Sequence, residues 1–288
     1  MTKVLRVGLV QQKCGESPKE NLRDAKEAVI TAADSGAQLI CLQELFSSRY
    51  FCQTEDSRNF EAAEEIPGPI TSEFSELACL LGVDLVVPIF ERRSAGLYHN
   101  SAVILDRRGE IVSHYRKMHI PDDPHYYEKY YFSPGDLGYP TAELKDANVG
   151  TLICWDQWFP EAARLSALGG AEVLVFPTAI GWHENEENDV AEREIDAWMT
   201  IQRSHAIANG VFVIAVNRVG KEGSIRFWGS SFVADPTGTV VAQASDKEEA
   251  VLIVDCDLRQ VEEVRREWPF LRDRRIDSYH EIYRRFRD

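Results

Sequence analysis

The sequence has no Cys-x-x-Cys pair, no His-Glu-x-x-His, no Gly-x-Ser-x-Gly elbow, no phosphate-binding loop and no Gly-x-Gly-x-x-Gly fingerprint. Zinc proteases, serine hydrolases of the elbow type, NTPases and dinucleotide enzymes lose most of their support from these absences. Positive charge is also scarce: 32 Lys and Arg stand against 47 Asp and Glu, a net charge of −15 over 288 residues. Nucleic acid and anionic membrane surfaces attract basic patches, so neither is expected as a partner. No apolar run approaches the ~18 residues of a membrane span. The start, Met1-Thr2-Lys3-Val4-Leu5-Arg6, lacks the apolar core of a secretion leader, so a cytoplasmic location is expected. Six cysteines (14, 41, 52, 79, 154, 256) are scattered and are expected to be reduced thiols rather than a disulfide framework. Neither a metal nor an organic cofactor is expected.

What remains has ordinary globular composition, with 44% hydrophobic and 27% charged residues. Fully apolar runs mark strands covered on both faces. The first half reads as a strand at Val4–Val10, a helix opened by the capping box Ser17-Pro18-Lys19-Glu20 and stopped at Gly36, and a strand at Ala37–Leu42. A helix near Thr71–Leu81, a strand at Val83–Phe90 and a hairpin of Tyr98–Leu105 with Glu110–Tyr115 follow. The second half repeats that order. Strands are expected at Val149–Cys154, Glu172–Phe176, Val211–Val216, Ser230–Ala234, Val240–Gln243 and Ala250–Val254, and helices at Pro160–Leu168, at about Val190–Ala208 and from near Leu258. The duplication predicts an α/β fold of two similar sheets packed face to face with helices outside. No Gly/Ser/Pro-rich linker separates the halves, so one domain over 1–288 is expected, and the aromatic stretch Met118–Asn148 reads as an ordered functional loop.

Three of these strands carry a reactive side chain at or just past their carboxyl end, where open α/β sheets bind ligands. Glu44 follows Ala37–Leu42, Lys117 follows Glu110–Tyr115, and Cys154 closes Val149–Ile153. A thiol near a helix amino terminus has its thiolate favoured, and the N–H groups after it can face an oxyanion. By position alone Cys154 is equally a small buried core residue, and Glu44 with Lys117 equally a structural ion pair. Convergence of the three would supply a proton carrier, an electrophilic stabiliser and a nucleophile, the requirement of acyl transfer. Glu128, within Tyr126–Phe132, either lines a dry pocket or pairs on the surface. The run 184–196 holds seven acids against one arginine, which makes it a solvated face or an attractor of cationic substrate. His183 and His205 leave a Cys–His arrangement open by counting.

With these residues in hand, the sequence resembles the nitrilase superfamily of carbon–nitrogen hydrolases from Val4 to Asp273. The motifs are Glu44 in Gln43-Glu44-Leu45-Phe46, Lys117 in Tyr115–Pro121, and Cys154 in Ile153-Cys154-Trp155-Asp156. Cys154–Arg164, Tyr127–Phe132 and Phe176–Gly181 are similar to the N-carbamoylputrescine amidase branch; the stretch Trp182–Asp196 is longer and more acidic than that branch leads one to expect. The resemblance implies a four-layer αββα sandwich with an internal pseudo-two-fold. It implies Glu44, Lys117 and Cys154 as catalytic residues, with Glu128, Trp155, Tyr50 and Thr178 supporting or binding substrate. It further implies a small carbamoyl amine as substrate and assembly into a homo-oligomer, for which the tail 268–288 is suited. β-Ureidopropionase or ω-amidase activity on the same scaffold is the alternative within the superfamily. A silent scaffold or binding protein is the alternative outside it.

Overall fold

The helices of this protein lie so close to their sheets that at two strand positions any side chain would press on its neighbours. A Cβ on Gly8 would meet the Ala32 Cβ at 3.0 Å, and one on Gly150 would meet Leu174 at 3.0 Å and Ser166 at 3.2 Å. The computed structural model describes residues 3–183 and 188–287.

The first half runs β1 (Val4–Gln11), α1 (Pro18–Asp34), β2 (Leu39–Leu42), α2 (Pro69–Leu81), β3 (Asp84–Ser94), β4 (Leu97–Leu105) and β5 (Ile111–Arg116). A short helix α3 (Glu128–Tyr131) and β6 (Thr141–Glu143) lie in the stretch expected to be a loop. The second half runs β7 (Asn148–Thr151), α4 (Pro160–Leu168), β8 (Val173–Thr178), β9 (Gly181–His183), α5 (Asn188–Asn209) and β10 (Phe212–Asn217). It ends with β11 (Val219–Glu222), β12 (Ile225–Trp228), β13 (Phe232–Ala234), β14 (Val240–Gln243), β15 (Ala250–Asp257) and α6 (Arg259–Glu267).

Two six-stranded sheets result, ordered β15-β1-β2-β3-β4-β5 and β14-β13-β10-β8-β7-β6. Each has a parallel centre, β1-β2-β3 in one and β7-β8-β10 in the other, flanked by antiparallel strands. The sheets pack on each other through Leu5, Val7 and Leu9 of one and Val149, Val175 and Ile214 of the other. Their outer faces are covered by helices, with Val29 and Phe74 on one side and Ala163 and Trp198 on the other. Each fully buried Val, Leu, Ile or Phe among them contributes about 1.5–3 kcal/mol by leaving water. This is the αββα sandwich that the duplicated pattern predicts.

Four expectations need correction. β15 does not stay with its own half; it pairs antiparallel with β1 and closes the edge of the first sheet. Helix α2 begins at Pro69 rather than Thr71 because its first N–H groups are capped from a distance: Ile70 N–H donates to both Glu64 oxygens at 3.0 and 3.1 Å. β7 stops at Thr151, so Cys154 is not a strand residue but the first of a 3₁₀ turn, Cys154–Trp158. Finally β9, β11 and β12 form a small third sheet absent from the sequence reading. Among the described residues no helix is long and apolar enough to cross a membrane.

Candidate active site

Strand β2 is buried throughout, and the chain leaves it through Gln43 and Glu44, both fully buried. The next residue, Leu45, has a φ of +50°, a conformation L-residues avoid unless held there. It is held by Arg218, whose guanidinium donates to the carbonyls of Leu45 (2.7 Å), Glu44 (3.0 Å) and Ser48 (3.0 Å). Arg218 is itself buried and paired with buried Glu222 at 2.8 Å. Lys117 lies one residue past β5 and has no exposed surface. Its Nζ donates to Glu44 Oε1 at 2.8 Å and to Glu128 Oε2 at 2.6 Å. Glu128 opens α3, and its Oε1 accepts from the Tyr50 hydroxyl at 2.8 Å. Asn100 on β4, which the sequence reading missed, donates to Glu44 Oε1 at 2.7 Å. Glu44 Oε2 has no partner among the described residues. One carboxylate oxygen is therefore fixed and the other is free to take a proton.

Cys154 stands opposite this cluster with a φ of +43°. Asp156 fixes its turn. The buried Asp156 carboxylate accepts from Ile153 N–H (2.9 Å), the Tyr115 hydroxyl (2.7 Å) and His119 N–H (3.0 Å), with His119 Nδ1 at 2.7 Å. Tyr115 and His119 flank Lys117 by two residues on either side, so one carboxylate ties the lysine segment to the cysteine turn. Trp155, next after the sulfur, is the second residue of that turn, in the stretch where N–H groups lack intrahelical partners.

The electrostatics follow from burial. Burial pushes the Cys154 thiol well up, Glu44 adds to that and Lys117 opposes it. Burial and Glu44 thus work against the thiolate that a helix terminus would favour. For Lys117, burial lowers the pKa, but Glu128 and Glu44 outweigh it and the ammonium is held well above the ordinary lysine range. Burial raises Glu128 to about 7, with Lys117 opposing and Glu44 adding. The surface alternative for Glu128 is ruled out by its burial.

Cys154 and Trp155 open onto a cavity of about 580 Å³, walled also by Tyr126, Trp158, Ile180 and Trp228. Thr178 does not line it. Its hydroxyl donates to Phe176 O at 3.0 Å and reaches Gln157 at 3.4 Å, so it serves the end of β8 rather than a ligand. His205 is turned into the core: its Nε2 meets Gln157 O at 2.7 Å and its ring stacks on Phe176. His183 does line the cavity. Of the acidic run, 184–187 lie outside the described residues; 188–196 form the first turns of α5. No group of His, Cys, Asp or Glu among the described residues is placed to hold a metal.

The signal for Asn100 and Asp156 was faint but present, a polar residue inside a strand otherwise apolar and an acid in a turn otherwise aromatic. Comparison with known proteins agrees with the geometry. The family model described as Carbon-nitrogen hydrolase matches residues 6–266. An N-carbamoylputrescine amidase of Solanum lycopersicum is 44% identical over 286 residues, covering 96% of this chain and 94% of that protein. A citrullinase of Francisella tularensis is 40% identical over 287 residues, covering 98% and 99%. The crystal structure of a carbon-nitrogen hydrolase from Helicobacter pylori G27 superposes with a TM-score of 0.95 at 46% identity, covering 99% of this chain and all of that one.

Proposed function

The chain belongs to the carbon–nitrogen hydrolase family, the nitrilase superfamily of enzymes that hydrolyse carbon–nitrogen bonds other than peptide bonds, and from that membership we propose that it hydrolyses N-carbamoylputrescine to putrescine, carbon dioxide and ammonia. The observation that carries the reading is the buried Lys117–Glu44 contact at 2.8 Å beside the Cys154 thiol at the cavity wall.

In this mechanism Glu44 takes the Cys154 proton on its unpartnered oxygen as the sulfur attacks the carbamoyl carbon. The tetrahedral oxyanion is met by the Lys117 ammonium and the Trp155 N–H, each such donor contributing ~3 kcal/mol. Protonated Glu44 returns its proton to the departing nitrogen. Water, activated by Glu44, then cleaves the carbon–sulfur bond, the proton returns to Cys154, and the carbamic acid set free breaks down to carbon dioxide and the second nitrogen product. Glu128, held by Tyr50, keeps Lys117 oriented and protonated.

A second reading, release of the carbamoyl group from citrulline, is favoured by the 40% identity to a citrullinase. The test is ammonia release from both compounds and from N-carbamoyl-β-alanine. N-carbamoylputrescine is expected to be turned over fastest, and Cys154→Ser to abolish turnover with the fold intact. Preference for N-carbamoyl-β-alanine ends the putrescine reading, and activity in Cys154→Ser ends the covalent mechanism.

The same proposal includes a single domain over 1–288 that assembles as a homo-oligomer through the tail 268–288. The cysteines, all free among the described residues, suit a reducing, cytoplasmic compartment.

A further inference from the structure

The cavity in front of Cys154 has one kind of wall along most of its length and another at two points. Trp155, Trp158, Trp228 and Ile180 offer apolar surface suited to a run of methylene groups. Among the described lining residues the carboxylates are Asp123 and Glu194, and neither lysine nor arginine is present. The two acids come from separate elements, the loop after β5 and the second turn of α5, and converge on one space that also holds the nucleophile.

We propose that Glu194, assisted by Asp123, docks the ammonium end of the substrate, so that the wall of the cavity rather than the catalytic cluster selects which carbamoyl compound is cleaved. The inference deepens the carbamoyl amidase reading and rests on it.

Two observations support the assignment beyond the presence of acids. Glu194 is only half-exposed, and its charge is felt at the hydroxyl of Tyr126, a cavity residue that also senses Cys154. Trp228, 1% exposed and on the same wall, has an indole N–H with no partner among the described residues. A buried donor left unpaired is costly, and since an ammonium has no lone pair, the acceptor it calls for is an oxygen elsewhere in the ligand or a bound water. The aromatic walls add attraction for a cation brought over their faces. Asp123 is exposed and therefore screened, which assigns it the smaller part.

The charge pattern orders the substrates. A terminal ammonium is attracted, a neutral end gains nothing, a zwitterionic end is both attracted and repelled, and a carboxylate end is repelled. The test compares N-carbamoylputrescine, N-butylurea (the same methylene chain without the ammonium) and citrulline in the full-length enzyme by ammonia release. Glu194→Gln should lower kcat/KM for N-carbamoylputrescine about tenfold, the worth of a charge-assisted hydrogen bond. The loss should fall on KM, with N-butylurea unchanged; Asp123→Asn should act in the same direction by less. An unchanged ratio of N-carbamoylputrescine to N-butylurea in Glu194→Gln overturns the inference while leaving the carbamoyl reading standing. A wild-type enzyme that cleaves simple ω-amides and no urea overturns both.

Discussion

A buried lysine between two carboxylates sets the acid–base behaviour of the site. Glu128 sits at about 7 because burial disfavours its charge more than Lys117 restores it. Its protonation removes one of the two partners that hold the ammonium. We therefore expect kcat/KM to fall as pH drops below about 7, a limb absent from Glu128→Gln, which is slower at every pH. The same raised pKa works the opposite way on stability. Protonated Glu128 favours the folded state, so its contribution is full below the ordinary glutamate range and is lost as pH rises through about 7. Activity and this component of stability move in opposite directions across one titration, which separates them in parallel pH series of rate and melting. Cys154 gives a second prediction. Since burial and Glu44 push the Cys154 thiol well up, the wild-type minus Cys154→Ser ultraviolet difference spectrum should show no thiolate at neutral pH. A thiolate band there would mean that the Cys154 proton is lost before substrate binds, and the role of Glu44 in the first step would fall.

At the scale of elements, the site depends on fixing the ends of β5 and β7 to each other. Neither the lysine nor the cysteine is within its strand: the Lys117 N–H still donates to Asn100 O at 2.8 Å, while Cys154 lies in a turn outside the ladder. Asp156 joins the two by gathering Ile153, Tyr115 and His119 on one carboxylate. Asp156→Asn keeps the shape but turns an amide N–H₂ toward at least one of these donors. The expected result is a drop in kcat of about 10- to 100-fold, the cost of hydrogen bonds to a buried charge, with KM nearly unchanged. Tyr115→Phe should give a smaller drop in the same direction. A rise in KM at constant kcat would assign Asp156 to substrate binding instead. The pattern of the sequence made much of this legible: fully apolar strands announced the parallel centres, and Glu44 and Lys117 stood out because a charge against such a strand demands a partner. Cys154 was found by position, yet its backbone was misread as strand, because Leu152 and Ile153 are as apolar as strand residues while φ reverses one residue later. Asn100, Asp156 and the cap from Glu64 escaped because each acts across tens of residues or from outside its own element. The strands β9, β11 and β12 escaped because three or four residues give too short a pattern to separate from turn.

At the scale of the molecule, the tail beyond α6 is unlike everything before it. Residues 268–288 carry six arginines against four acids, on a chain whose net charge is −15. Its large apolar side chains find little cover within the chain: Tyr283 is 93% exposed, Phe286 81% and Ile276 72%. Such a segment gains nothing from folding by itself, because ordering its backbone costs about 1–2 kcal/mol per residue without burying compensating surface. Two further apolar residues are exposed nearby in sequence, Trp268 and Phe270, stacked on each other. Exposed apolar surface rimmed by charge marks an interaction site, and a basic arm complements the acidic body of a second copy of the same chain. We expect the protein to sediment as a dimer or larger closed assembly at micromolar concentration. Ile282→Glu with Tyr283→Glu should shift it toward monomer, by placing charge of the repelled sign where apolar contact is needed. The cluster of Glu44, Lys117 and Cys154 lies in the sandwich and not in the tail, so the monomeric variant should keep its Cys154 reactivity toward an alkylating amide such as iodoacetamide. A wild-type protein that sediments as a monomer, or a doubly substituted variant that remains assembled, would remove the tail from the interface.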